Sequence, residues 1–435
     1  MRILQKSNIW PILALVVLCI LAGPRLLRNI VNITVSVRTG EIHPTDPGPL
    51  YGYMHVPASS PEFETASNAL AADFANAFFP SKKFFSGESI YKEVNDPWGR
   101  LPTFPPIAHY IVRFLSLNMD YGTAAIVHLY LQVAILIIAT FYYVTKYTGR
   151  IGIAAATSLL LSYLIFATPV GLAWFERGQF DLYVASAIML AAIGMLESSA
   201  IAIGLSAILA SMKWTAFPFV FVSIGVYVLC HKSKYRKFFY CLLYGTIVFA
   251  CLAVFPKYLI DYPKIIVGSE RGDLIEGVSL LKLLPWWFAK WYPFVLVILF
   301  AVLYRLLVRT NSVKRFSLVF MPLLLGAGLM TTTYATSCYE YRAVALLGLV
   351  PPLIVWNTKT KMHRSYRMLV SVIFGSSLLI VLRFIECMDK KLAMNEQHMI
   401  LIYMFFGFAL VMSSFLMPLR DKIVRARRRL STKSS

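Results

Sequence analysis

The sequence predicts an all-α protein, a polytopic transmembrane bundle of about twelve helices with an outer loop that carries interfacial helices. Three observations lead there. Of 435 residues, 58% are hydrophobic and 14% charged, whereas ordinary soluble domains carry about 25% charged residues. Apolar runs approaching the roughly 20 residues that cross a bilayer as a helix recur along the chain. Short basic runs follow many of these apolar segments directly, as cytoplasmic loops do.

The first expected span, 9–27, follows Arg2 and Lys6. It reads as an uncleaved signal anchor, because Pro24 comes straight after the small residues Ala22 and Gly23. Further spans are expected at 121–146, 151–172, 180–196, 199–212, 215–230, 238–256, 286–307, 316–334, 343–356, 367–384 and 399–419. Glu197 and Lys213 mark turns in the crowded stretch. Twelve crossings place both termini inside, and the basic runs 231–237, 305–315, 359–367 and 420–429 then all face the cytoplasm. The piece 105–117, with His109 and Arg113 at helical spacing, is expected to lie along the outer interface. Were it to cross, the parity of all later loops would invert. The whole chain, 1–435, is expected to form one membrane domain with outer loops at 31–120 and 257–285 and a basic cytoplasmic tail at 420–435.

The net charge of +21 does not point to nucleic acid. Its basic residues trail apolar segments instead of covering an exposed folded surface. Six dispersed cysteines are too few for a disulfide scaffold. Cys19, Cys230, Cys241 and Cys251 fall in apolar runs as small packing residues. Cys338 and Cys387 fall in outer loops, either paired or as free thiols.

The acids are distributed one-sidedly. Of 21 Asp and Glu residues, 19 fall outside or at the outer boundary, with only Glu197 and Asp421 inside. The positive-inside rule barely constrains acids, so the asymmetry marks an outer face furnished with polar groups.

Four stretches on that face carry candidate chemistry. Residues 64–79, ETASNALAADFANAFF, have helical periodicity with Asp73 and Asn76 on one side. Partial desolvation there is expected to raise the Asp73 carboxyl toward neutrality and suit it to general-base work; the plainer alternative is a solvated acid. Residues 91–106, YKEVNDPWGRLPTFPP, form a turn-rich loop in which Arg100 is either a phosphate fork or a headgroup anchor. Glu176, Arg177, Gln179 and Asp181 crowd a tight outer turn around Gly178, more polar groups than a connector needs. Residues 337–342, SCYEYR, add Tyr339, Glu340 and Arg342. Lys213 sits at another outer turn, as a site cation or a snorkelling anchor, and 269–287 adds Arg271, Asp273 and Glu276. No nucleotide loop, zinc spacing or nucleophile elbow is present, so no metal or cofactor is expected.

Taken in order, several pieces form a pattern: Ala72-Asp73-Phe74, Gly87 to Tyr91, Pro105-Pro106, Gly178-Gln179, Lys213 with Pro218, Ser279 to Leu281, and Ser337 with Tyr339 and Glu340. Over about residues 70–345 this pattern resembles the polyprenol-phosphate-sugar-dependent glycosyltransferases of GT-C fold, in particular their alpha-mannosyltransferase-like branch. The resemblance implies a hexose transfer from a polyprenyl-phosphate donor to a glycan or glycolipid acceptor, with inversion. It implies Asp73 as base, with Arg342, Arg177, Arg271, Arg100 and Lys213 on the phosphate. Gln179, Glu176, Asp181, Glu340 and Tyr339 would line the site. The family's Gly-Gln turn continues with Asn, where this chain has Phe180 and Asp181. Its late turn has Trp and His, where this chain has Tyr339 and Tyr341. The sugar therefore stays open between mannose and glucose, since phage-type O-antigen glucosyltransferases have similar size and topology. The expected location is a bacterial inner (plasma) membrane with a periplasmic site. A transporter or flippase of a lipid-linked or anionic substrate is the alternative from another class, and it would be marked by internal repeats and broken helices.

Overall fold

In a computed structural model the regular structure of the described residues is helical apart from one two-residue parallel ladder, Glu276–Gly277 against Ser337–Cys338. The structure describes residues 9–50, 52–53, 70–230, 234–253, 255–259, 262, 276–277, 291, 295, 298–299, 313–332, 337–338, 340–359, 364–384 and 394–431. Arg271, Asp273, Tyr339 and Cys387 lie outside the described residues, as do most of 257–285 and most of the expected span 286–307. The side chains of Glu276, Cys338 and Glu340 lie outside them too.

The helices are α1 (Ile9–Thr39), α2 (Ala72–Lys82), α3 (Pro106–Leu115), α4 (Tyr121–Thr148), α5 (Ile151–Phe166), α6 (Pro169–Arg177), α7 (Asp181–Glu197), α8 (Ala200–Ala210), α9 (Phe217–Cys230), α10 (Lys234–Ala253) and α11 (Pro256–Leu259). They continue with α12 (Val313–Thr332), a 3-10 segment (Glu340–Leu349), α13 (Val350–Lys359), α14 (Arg364–Val381) and α15 (Glu396–Ser431). Among the described residues, three stretches, Tyr121–Thr148, Arg364–Val381 and Gln397–Ser414, are long and apolar enough to cross a membrane. The pair α5 and α6 makes a fourth if a helix bent by 73° counts as one span. The expected spans 199–212 and 215–230 contain helices of 11 and 14 residues, short of the roughly 20 that cross a bilayer upright.

Local chemistry sets the helix ends. Asp120 opens α4 by accepting from Thr123 N at 2.9 Å, and Gly149 closes it at φ 68°. Thr168 caps α6 through Gly171 N at 3.1 Å, with Pro169 at the first helical position, where its missing N–H costs nothing. Phe166 ends α5 at the sharp turn before α6, and its carbonyl is turned toward α1. Asn29 of α1 donates to it at 2.9 Å and also holds Asp46, so the first helix closes the break.

At the centre lies α7, buried from Asp181 to Met195 on every side, as a helix apolar all round must be. The ends of α2, α4, α6, α7 and the 3-10 segment, with the turn between α8 and α9, meet at one end of the bundle.

Three expectations about the outer loop are corrected. The helix expected over 64–79 cannot run continuously through its middle, because Ala71 is left-handed at φ 64° and α2 begins after it. Nor does α2 lie on a membrane surface. Residues on all its sides are buried, from Ala72 to Ser81, so its polar positions face protein. In α3, His109 and Arg113 do not share a solvated stripe. His109 is fully buried with Nδ1 3.1 Å from the Ala77 carbonyl, and burial pushes its imidazole down to about 4.

Candidate active site

The left-handed Ala71 explains where Asp73 sits. Its amide donates to the Glu176 carbonyl at 2.7 Å, and its own carbonyl accepts from Tyr121 Oη at 2.5 Å. The start of α2 is thereby clamped between α4 and the end of α6. Gly178 makes the clamp possible. At φ 70° it ends α6, and a Cβ there would stand 2.7 Å from Ala71 Cβ and 2.8 Å from Phe74 Cβ. Beyond Gly178 the chain delivers Gln179, whose carbonyl is held by Gln132 of α4 at 2.8 Å.

Asp73 accepts four hydrogen bonds. Its Oδ1 takes Arg100 Nη1 at 2.9 Å and Arg177 Nη2 at 3.0 Å, while Oδ2 takes Arg177 Nε at 2.9 Å and Gln179 Nε2 at 2.5 Å. Arg100 also reaches Asp96 Oδ1 with Nε at 3.1 Å, Asp96 Oδ2 with Nη2 at 3.0 Å, and the Ala72 carbonyl at 2.6 Å. Its guanidinium lies 4.9 Å from the Trp98 ring centre. Asp96, wholly buried, is itself held by Asn76 Nδ2 at 3.0 Å. The Asp73 and Asn76 side of α2 is therefore the face turned to the 92–103 loop.

Gln179 joins this cluster to a second one. Its Nε2 donates to Tyr341 Oη at 2.9 Å, and its Oε1 accepts from Lys213 Nζ at 2.7 Å. Lys213 completes its pairing with Asp181 Oδ2 at 2.8 Å. Arg342 stands next to this pair. It shares a cavity of about 30 Å³ with Asp181, Thr215, Thr331 and Thr332, continued by apolar residues of α7 and α9. Its charge acts on Lys213 and Tyr341.

The electrostatics correct the expectation for Asp73. Burial does push its carboxyl up, but Arg177 and Arg100 outweigh burial and hold it at about 2. Against burial, Asp73 also holds the Arg100 and Arg177 guanidiniums more firmly charged. Burial pushes the Lys213 ammonium down, with Asp181 opposing it, and raises the Tyr341 hydroxyl.

Of the residues singled out in the sequence, Asp73, Arg100, Arg177, Gln179, Lys213 and Asp181 form one hydrogen-bonded network, and Arg342 adjoins it through the Asp181 cavity. Lys213 is no snorkelling anchor, since it is buried between two acceptors. Arg100 forks onto Asp96 and gives one further bond to Asp73. Glu176 is buried; its main-chain carbonyl serves the Ala71 clamp, and its charge acts on Tyr53 and Arg177.

The sequence reading passed over Asp96 and gave Tyr341 no role. It also passed over Tyr121 and Gln132. The signals were a buried-type Asp–Arg pair four apart in a Pro-Gly turn, and a glutamine inside an apolar span. Among the described residues no three His, Cys, Asp or Glu side chains gather as metal ligands.

Compared with protein-family models, curated proteins and solved structures, the chain matches none of them. The chemistry of the site then rests on what it holds: three cations and a carboxamide converging from separate segments on buried carboxylates. Such a cluster can bind an anion by guanidinium forks and can accept a proton, provided a carboxylate is released.

Proposed function

We propose that the chain is a multi-pass membrane glycosyltransferase of GT-C type with about twelve spans. It moves a hexose, mannose or glucose, from a polyprenyl-phosphate donor to a glycan or glycolipid acceptor, with inversion. The proposed place is the periplasmic face of a bacterial inner (plasma) membrane. One observation carries the proposal. Arg100, Arg177 and Lys213 are drawn to within hydrogen-bond reach of Asp73 or its partner Gln179, at the end of the bundle where helix ends meet.

The chemistry follows from those groups. The donor phosphate sits on the cations, with Arg342 and the small cavity beside Asp181 on its flank. The acceptor oxygen attacks the anomeric carbon in line and forms the new glycosidic bond. The bond from that carbon to the phosphate oxygen breaks, and its electron pair leaves with the lipid phosphate. The acceptor proton passes to the Asp73 carboxylate. Fixed cations favour the step because negative charge builds on the leaving phosphate in a partly dry site.

Purified protein in lipid vesicles, given polyprenyl-phosphate hexoses and candidate glycolipid acceptors, is expected to form a glycosylated product. Asp73→Asn is expected to lower the rate at least about a hundredfold while the protein still inserts. Full activity of that variant sinks the base assignment. The bent α5–α6 pair favours a second reading, a flippase, since broken helices build transport sites. Movement of labelled lipid across the same vesicles, without product, supports that reading instead.

A further inference from the structure

An ionised carboxylate offers about four lone-pair positions, and all four hydrogen bonds that Asp73 accepts are made within the protein. A base so engaged has no position left for an acceptor hydroxyl. Gln179 is fixed at both ends, by Lys213 on its Oε1 and by Gln132 on its main chain. The donors placed to give way are therefore the Arg177 fork, which spans both oxygens of Asp73, and Arg100 Nη1, while Arg100 Nε and Nη2 stay on Asp96 and the Ala72 carbonyl.

We infer that Asp73 is a stand-in for the donor phosphate: in the resting protein it takes the Arg177 fork and the Nη1 of Arg100, and these donors pass to the phosphate when the donor binds, opening the carboxylate to the acceptor. This rests on the glycosyltransferase proposal above. Guanidinium forks fit phosphate oxygens at least as well as carboxylate ones. The exchange also runs in the direction of the reaction. A donor phosphodiester carries one negative charge, and the phosphate gains a second as its bond to the sugar breaks. Asp73 meanwhile loses its charge to the acceptor proton. The arginines therefore bind most strongly where charge develops, which lowers the barrier and not only the ground state.

Losing the Arg177 fork and the Arg100 Nη1 bond from a carboxylate only 13% exposed also makes it more basic. Among the described residues, the polar and charged groups that remain around it are Gln179, Lys213, Tyr341 and Arg342 on one side, Glu176 beside Arg177, and Asp96, Asn76 and Tyr121 on the other. Asp73 is thus blocked as a base until the donor phosphate is seated, which protects the site from idle proton exchange and couples acceptor activation to donor binding.

The test uses the full-length protein in nanodiscs with a polyprenyl monophosphate as probe, and inorganic phosphate in parallel. Wild type is expected to bind the lipid phosphate. Asp73→Asn is expected to bind it about tenfold more tightly, because a competing anion has gone, while transferring no sugar. Tightening toward inorganic phosphate as well assigns the effect to the phosphate group; tightening toward the lipid alone assigns it to the seated lipid phosphate. Equal or weaker binding by the variant overturns the stand-in role.

A second readout needs no variant. Dicyclohexylcarbodiimide reacts with carboxyls that can take up a proton, and its attachment at residue 73, mapped by mass spectrometry near pH 6, is expected to rise when polyprenyl monophosphate is added. Unchanged or slower labelling overturns the inference. If wild type binds no lipid phosphate at all, the glycosyltransferase reading itself fails, a result distinct from either of these.

Discussion

Lys213 and Asp181 form the most enclosed ion pair of the site, with side chains 8% and 1% exposed. Removing one partner of such a pair leaves a buried charge alone and costs about 3–5 kcal/mol, whereas replacing both with apolar groups of similar volume is close to neutral. Lys213→Met is therefore expected to lower thermal stability sharply, and Lys213→Met with Asp181→Leu to recover most of it. Sugar transfer is expected to stay lost in both, since the Gln179 amide loses its anchor. A double variant with wild-type activity would reduce the pair to packing. Asp73 yields a second residue-scale test. Its carboxyl is held at about 2 against an ordinary 3.8, worth on the order of 2 kcal/mol to the folded state. Because the folded value is depressed, that stability is fully present above about 4 and is lost as pH falls toward about 2. The melting-temperature gap between wild type and Asp73→Asn is accordingly expected to be open at pH 7 and to close over that acid range. The residue types at the site were legible, since cations and acids crowding tight outer turns exceed what connectors need. Their pairing was not. A pattern within 64–79 says that Asp73 and Asn76 share a face, but nothing local says that Arg100 and Arg177 arrive from 27 and 104 residues away to neutralise it.

At the scale of elements, the network depends on α6 stopping where it does and lying against the start of α2. Gly178 supplies both conditions, a left-handed backbone and space for Ala71 and Phe74. Gly178→Ala is expected to cost about 2 kcal/mol or more, and to part α2 from α6 enough that Arg177 no longer reaches both oxygens of Asp73. The measurable sign is a drop in transfer rate beyond what the loss of folded protein explains; transfer that falls only in step with folded protein would leave Gly178 a purely structural turn. Sequence patterning read these elements unevenly for a physical reason. Pro105 and Pro106 announce the start of α3, and an unbroken apolar run announces α4, because both signals are local. The break before α2 depends on Glu176 and Tyr121 taking the Ala71 amide and carbonyl, partners 105 and 50 residues away in sequence. Periodicity alone runs straight through it. The same holds for α3, where His109 turns inward because the Ala77 carbonyl of α2 awaits it.

For the whole molecule, the decisive quantity is the parity of crossings. The site gathers the start of α4, the ends of α6 and α8, and the starts of α7, α9 and the 3-10 segment. Alternate helix ends thus lie on one side, as an up-and-down bundle demands. Glu197, at the far end of α7, belongs to the opposite side, and so do the basic runs that follow α9 and α13. If those runs face the cytoplasm, as their charge directs, the Asp73 network faces outward, and the twelve crossings proposed above would return the C-terminus to the inside. Alkaline phosphatase, active only outside the cytoplasm, fused after residue 90 is expected to be active. Fused after residue 198 or at the C-terminus, it is expected to be silent, while a fluorescent protein at those two places is expected to glow. Phosphatase activity at residue 198 together with silence at residue 90 would turn the molecule over and put the site in the cytoplasm. There a polyprenyl-phosphate sugar presented from the outer leaflet could not reach it, and the proposed reaction would fall. Activity at residue 90 and at the C-terminus, with silence at residue 198, would instead leave Asp73 outside and change only the number of crossings after residue 198.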